Sequence, residues 1–208
     1  TYLISKAEFV ACHNPSYVDK YNMVQDLRAG GTFLLNCGWS DEELDKHLPG
    51  QVKKFIADHN IKLYTIDGIT IGKEIGLGKR INTVLQAAFF KLADVIPVED
   101  AVKYMKDAAT KTYGRKGEQI VKMNHDAIDR GITDVMERTV PESWKDAKEE
   151  ELGRTVTEGR KDAVDFVNNI QRAINAQEGN KLPVSAFEAY VDGTTPSGTS
   201  AYEKRGIA

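Results

Sequence analysis

The sequence predicts a layered α/β fold, a mostly parallel sheet flanked by helices, followed by a helical or extended C-terminal appendage. Three observations lead there. Short apolar runs alternate with helical patterns from residue 1 to about residue 133. The runs are apolar on consecutive positions, as strands covered on both faces require. From Val140 onward charged residues displace apolar ones. With 208 residues, 41% of them hydrophobic and 28% charged, the chain can bury roughly 70% of its unfolded surface.

The strand candidates are Phe9-Val10-Ala11-Cys12, Thr32-Phe33-Leu34-Leu35-Asn36 and Lys62-Leu63-Tyr64-Thr65-Ile66. The opening Thr1-Tyr2-Leu3-Ile4, which has no initiator Met, reads as the middle of another strand, as if the chain were cut from a longer one. Between the first two runs, Val18, Tyr21, Val24 and Leu27 mark one stripe of a helix over Tyr17 to Arg28, with Gly30-Gly31 as its stop. Ser40 followed by Glu43 is a capping box for the next helix, and Pro49-Gly50 breaks it before Val52, Phe55 and Ile56 resume. Strand and helix in alternation give a Rossmann-like outline.

After Ile66 the period changes. Ile81, Val84, Leu85, Ala88, Phe89 and Leu92 recur at three- and four-residue steps and predict an amphipathic helix packed across the sheet. Pro97 starts another, burying Ala101, Val102, Met105 and Ala109 before Gly114. A third runs from about Gly117 through Ile120, Met123, Ala127 and Ile128 to Gly131. Residues 141–162 read as an exposed charged connector. Ala163, Phe166, Val167, Ile170, Ala173 and Ile174 then form a last amphipathic helix closed by Gly179-Asn180, and Asp192 to Thr199 is a turn-rich linker. The expected division is 1–140 for the Rossmann-like domain, 141–190 for the connector and the helix packing on it, and 191–208 for the linker and the start of a further segment.

Composition excludes several functions. A net charge of -3 without a long basic run argues against nucleic acid as the main partner. No window approaches the roughly 18 apolar residues of a membrane-spanning helix, and no charged-then-apolar leader opens the chain, so the expectation is a cytoplasmic protein without a membrane partner. Cys12 and Cys37 are too few for a disulfide scaffold and read as free buried thiols. The four histidines, His13, His47, His59 and His125, are dispersed without zinc-ligand spacing. His13 beside Cys12 suggests an activated thiolate, but adjacent strand residues point to opposite faces.

In a parallel sheet, ligands gather at the carboxyl ends of the strands. Cys12-His13-Asn14-Pro15-Ser16 and Asn36-Cys37-Gly38-Trp39-Ser40 occupy such positions. Asn14, Ser16 and Asn36 either bind a ligand's amides and hydroxyls there, or Asn14 and Ser16 only cap the following helix. Gly76-Leu77-Gly78-Lys79-Arg80 precedes a helix, so main-chain amides, the helix dipole and two cations suit a phosphate. It is neither a Walker loop nor a complete GxGxxG, and Gly76 also fits a plain helix stop.

Read together, these strings resemble one family. Tyr2-Leu3-Ile4-Ser5, Ala11 to Tyr17, Gly31 to Cys37 with Trp39 to Leu44, Glu74 to Asn82, Gln86 to Ala93 and Tyr113 to Gly117 resemble pyruvate:ferredoxin (flavodoxin) oxidoreductase. Tyr202 to Ala208 resembles the opening of the short Glu-Lys-Arg (EKR) segment that follows the gamma domain, or domain III, in the single-chain enzymes. The resemblance implies an internal piece of a large enzyme, colourless and inactive alone. Such enzymes oxidatively decarboxylate pyruvate on thiamine diphosphate with Mg, pass electrons through [4Fe-4S] clusters to ferredoxin or flavodoxin, and transfer the acetyl group to coenzyme A. It implies partners too: the enzyme's other domains, and a second copy in a full-length homodimer. Its gamma domain is the one implicated in holding coenzyme A. The expected binding residues are Asn14, Ser16, Asn36, Gly76, Gly78, Lys79, Arg80 and Asn82, with no catalytic or metal-ligating residue. A non-catalytic, structural or subunit-contact domain is the competing expectation.

Overall fold

A computed structural model describes residue 4, residues 6–149 and residues 155–202. The strand reading of Thr1 to Leu3 and the segment Glu203 to Ala208 fall outside them. The chain divides into two compact units, Thr1–Val18 with Met23–Glu149, and Asp19–Asn22 with Glu150–Ala208.

The first unit is built on a four-stranded sheet in the order β1 (Ala7–Cys12), β2 (Leu27–Asn36), β3 (Lys62–Ile66), β4 (Met136–Arg138). β1 and β3 both run parallel to β2, whereas β4 is antiparallel to β3. The mostly parallel α/β expectation therefore holds, with an antiparallel edge that no apolar run announced.

The predicted helix over Tyr17 to Arg28 does not form. A short 3-10 turn, Pro15–Tyr17, replaces it, and Leu27 and Arg28 belong to β2. Val18, Val24 and Leu27 are buried as the stripe requires, but turns bury them just as well. Gly30-Gly31 is not a helix stop either. Between the pairs Ala7↔Leu27 and Phe9↔Thr32, β2 advances five residues while β1 advances two, so β2 bulges there. Gly30 takes φ +75°, open to glycine at no steric cost, and its N–H donates to the His59 carbonyl at 2.8 Å.

The pleat sends alternate side chains to two cores. Phe33, Leu35, Cys37, Cys12 and Leu63 face α1 (Asp41–His47) and α2 (Gly50–Asp58), meeting Leu44, Val52 and Ile56. The expected capping box is present: Glu43 N–H donates to Ser40 Oγ at 3.2 Å and Ser40 N–H to Glu43 Oε2 at 2.8 Å. Leu34, Tyr64 and Ile66 face the other way. They pack on α3 (Gly68–Glu74), α4 (Asn82–Ala93) and α6 (Glu118–Thr133) through Ile71, Val84, Leu85, Ala88 and Ala127. Each fully buried Val, Leu or Ile contributes about 1.5–3 kcal/mol to these interfaces. α5 (Val98–Tyr113) lies outside α4 and α6, joined by Ala87, Ala109 and Ile128. Gly131 lets α6 approach α4 closely, since a Cβ there would sit 2.7 Å from the Ala87 Cβ.

The connector expected over residues 141–162 is not uniformly exposed. Glu142–Asp146 forms a 3-10 turn whose Trp144 is buried in the α2-side core and donates Nε1–H to Asp45 Oδ1 at 2.8 Å. One aromatic in a charged stretch suffices to pin it, because a buried Trp removes a large apolar surface from water.

In the second unit the expected helix is interrupted: Lys161–Phe166 (α7), a π-helical stretch Val167–Gln171, then Arg172–Asn175 (α8). Ala163, Phe166, Val167 and Ile170 are buried, but Ile174 is 47% exposed and lies off the apolar stripe the sequence suggested. Gln177, at φ +65°, lies two residues past the last helical residue, and Gly179-Asn180 opens a separate 3-10 turn. Asn168 braces the unit, accepting from Val156 N–H at 3.0 Å and donating to the Val156 carbonyl at 2.8 Å. Asp192 to Gly198 has no regular element, and the Ser197 carbonyl accepts from Arg160 Nη2 at 3.2 Å.

Candidate functional site

The carboxyl ends of β1, β2 and β3 converge on one side chain. Asn36 ends β2 and is 3% exposed. Its Nδ2 donates to the His13 carbonyl at 2.8 Å, and its Oδ1 accepts from Gly68 N–H at 2.9 Å. It ties the loop after β1 to the start of α3, so its amide is a brace rather than an open ligand group. Asn14 caps the Pro15–Tyr17 turn, accepting from Ser16 N–H at 3.1 Å. Of the two roles open to Asn14, the structure displays the cap. The Ser16 side chain stays exposed at the same edge.

α4 reaches this edge with its amino end. Ile81 stands 3.6 Å from a Cβ placed on Gly68, just past β3, while Phe89 makes an edge contact with Phe9 near the start of β1 at 5.2 Å between centroids. The helix thus runs against the strands and presents its positive dipole end where they stop. Ile81 offers no side-chain cap, leaving the first-turn amides open.

The glycine loop preceding α4 has the left-handed geometry that only glycine adopts readily, with Gly76 at φ +84° and Gly78 at φ +61°. Several of its amides are already occupied. Gly76 N–H donates to Lys73 O, Gly78 to Gly72 O, Arg80 to Leu77 O and Ile81 to Lys79 O. The loop is folded on itself and does not form an open nest of main-chain donors. The Lys79 and Arg80 side chains are exposed and make no ion pair with any described residue. Asn82, the first residue of α4, is exposed beside them.

The two thiols are inert in this setting. Cys12 donates Sγ–H to the Asn14 carbonyl at 3.1 Å, and burial pushes its pKa up to about 11. Cys37 is also raised, chiefly by burial. A protonated thiol is a poor nucleophile, which disposes of an activated Cys12-His13 pair. Among the described residues, no group of three or more His, Cys, Asp or Glu side chains converges as a metal ion would need.

Two residues shape this edge that the sequence reading passed over. Asp67 caps α3 by accepting from Thr70 N–H at 2.9 Å, and Gly38 leaves it room, since a Cβ there would lie 2.5 Å from Asp67 Oδ2. An Asp directly after a strand and before a helix is a cap signal that was legible. Arg138 on β4 donates to Thr65 Oγ1 at 2.7 Å, to the Trp39 carbonyl at 3.1 Å and to Asp41 Oδ1 at 3.1 Å, fixing the loop after β2. No local pattern announces it, because it acts across almost a hundred residues of sequence.

A family model described as pyruvate ferredoxin/flavodoxin oxidoreductase matches residues 1–133. This chain belongs to that family. A second model, EKR, described as a domain of unknown function, matches residues 154–208. The family's curated members include a pyruvate:ferredoxin oxidoreductase of Moorella thermoacetica, 50% identical over 207 residues, covering 100% of this chain and 17% of that protein. A pyruvate-flavodoxin oxidoreductase of Enterobacter agglomerans is 47% identical over 207 residues with the same coverage. The chain thus spans about a sixth of the length of these relatives. The crystal structure of the pyruvate oxidoreductase subunit PORC of Thermotoga maritima shares the fold at a TM-score of 0.51, with 16% identity, covering 64% of this chain and 66% of that one. No helix among the described residues is long and apolar enough to cross a membrane.

Proposed function

We propose that this chain is an internal part of a pyruvate:ferredoxin or pyruvate:flavodoxin oxidoreductase, and that its first unit helps to bind coenzyme A. In this reading the whole enzyme converts pyruvate and coenzyme A to acetyl-CoA and CO2 and passes two electrons to ferredoxin or flavodoxin. Thiamine diphosphate with Mg supplies the decarboxylation chemistry and [4Fe-4S] clusters carry the electrons, both in other domains of a homodimeric, cytoplasmic enzyme. The two buried cysteines here do not match a cluster that needs four thiolates.

The observation that carries the reading is the amino end of α4, uncapped by any side chain, with exposed Lys79 and Arg80 just before it at the carboxyl edge of the parallel sheet. Phosphates accept charge-assisted hydrogen bonds from such groups. Exposed Asn14, Ser16 and Asn82 border the same edge and suit the pantetheine amides. Gly76 and Gly78 set the turn that brings the two cations there. The role is positioning: a thiol held in place reacts as though intramolecular, and no group of this unit needs to move a proton.

In the full-length enzyme, Arg80→Ala raises the KM for coenzyme A by roughly tenfold, the loss expected for one charge-assisted contact. An unchanged KM removes Arg80 from the site. A second reading, a structural or subunit-contact domain, is favoured by the loop amides that already donate to main-chain carbonyls. It predicts that unchanged KM, together with a loss of assembly when the second unit's helix is altered.

A further inference from the structure

α4, α5 and α6 line an open cleft of about 380 Å³, inside the range of about 300–1,000 Å³ typical of small-molecule sites. Its apolar wall includes Phe90, Tyr104 and Met105, and its polar groups include Thr83, Thr112 and Asn124. Asn124 is 4% exposed, and its Nδ2 donates to the Ile120 carbonyl at 2.8 Å. Asn124 thus contributes one amide to a cleft whose other lining mixes apolar side chains with a few hydroxyls.

The helix directions place charge at one end of this cleft. α4 and α6 run side by side in the same sense: Gly76, ahead of α4, meets Met123, Ala87 meets Gly131, and Lys91 Nζ donates to the Ile132 carbonyl at 2.8 Å. α5 runs the opposite way, since Thr110 pairs with His125 and Lys106 with Asp129. The turn from α5 to α6, Tyr113-Gly114-Arg115-Lys116-Gly117, therefore lies at the same end as the Gly76 to Asn82 loop. Tyr113 lines the cleft there and Lys116 Nζ sits 5.5 Å from its ring centroid. Lys79, Arg80, Arg115 and Lys116 are all exposed, and none pairs with a described carboxylate.

We propose that this cleft takes the adenine nucleotide end of coenzyme A: the purine lies against the apolar wall of Phe90, Tyr104 and Met105, and its phosphates reach back to the four cations at the mouth. The proposal rests on the coenzyme A reading above and assigns that reading's nucleotide to a place. An aromatic body attached to phosphates matches both an apolar cleft and a cationic rim. The pantetheine arm is then free to follow the carboxyl edge of the sheet.

The test uses the full-length enzyme, with adenosine 3',5'-bisphosphate as the probe in calorimetry and coenzyme A in kinetics. Ala108→Phe fills the cleft from an exposed position on α5, and Lys116→Ala removes one cation. Each is expected to weaken bisphosphate binding and raise the KM for coenzyme A by about tenfold, about 1.4 kcal/mol. If both leave binding and KM within twofold while Arg80→Ala raises the KM, the cleft assignment falls and the coenzyme A reading stands. If Arg80→Ala also has no effect, both fall.

Discussion

Cys12 shows how a single side chain can report on the fold. Its thiol belongs to an acid whose pKa rises on burial, from 9.0 to about 11, so the folded protein holds the proton more tightly than the unfolded chain. The sign follows from linkage. The stabilisation is intact below pH 9 and is lost as pH climbs through about 11, because there the unfolded state alone releases the proton. Iodoacetamide labelling of the native protein should be slow at pH 8 and should accelerate only as the pH approaches 11; rapid labelling at neutral pH would show an exposed or activated thiolate. At this scale the sequence was only half informative. Two isolated cysteines pointed correctly to buried free thiols, and Asn14 pointed to a cap. That Asn36 spends both ends of its amide on neighbouring loops was invisible, since its partners lie 23 and 32 residues away.

Among elements, the strands at Thr32 and Lys62 and the helices α4, α5 and α6 were legible because short apolar runs encode the former and helical period the latter. Elements that depend on distant partners were not. β4 is three residues long and exists by pairing with β3, and Glu142–Asp146 is held by Trp144 against α2. Trp144→Ala should destabilise the first unit by about 3–5 kcal/mol, the cost of emptying a large buried site; Asp45, exposed and still paired with Lys53, adds little to it. Urea unfolding measures the loss; a change below about 1 kcal/mol would mean that residues 141–149 do not dock as described. The misread helix at Tyr17 to Arg28 teaches the complementary lesson. Apolar spacing specifies which residues are buried, and a β-bulge with two glycines can satisfy it as well as a helix.

At the scale of the molecule, a chain of net charge -3 gathers four cations, none ion-paired with a described carboxylate, at one end of a helical layer. Local sequence showed Lys79-Arg80 and Arg115-Lys116 as separate pairs, and only the opposed directions of α5 and α6 bring them together. If phosphates bind there, the KM for coenzyme A in the full-length enzyme should rise several-fold as ionic strength increases from about 0.05 to 0.3 M, since exposed charges are screened over a Debye length near 10 Å at 0.1 M. A flat salt profile would place the phosphates elsewhere.

The Asn36 clasp has a bearing on how such a platform behaves over time. One amide, sealed from water, couples the loop leaving β1 to the beginning of α3, so neither can drift without breaking a bond that has no solvent substitute. The carboxyl edge of the sheet is therefore set during folding, and a ligand that docked there would not first have to organise it.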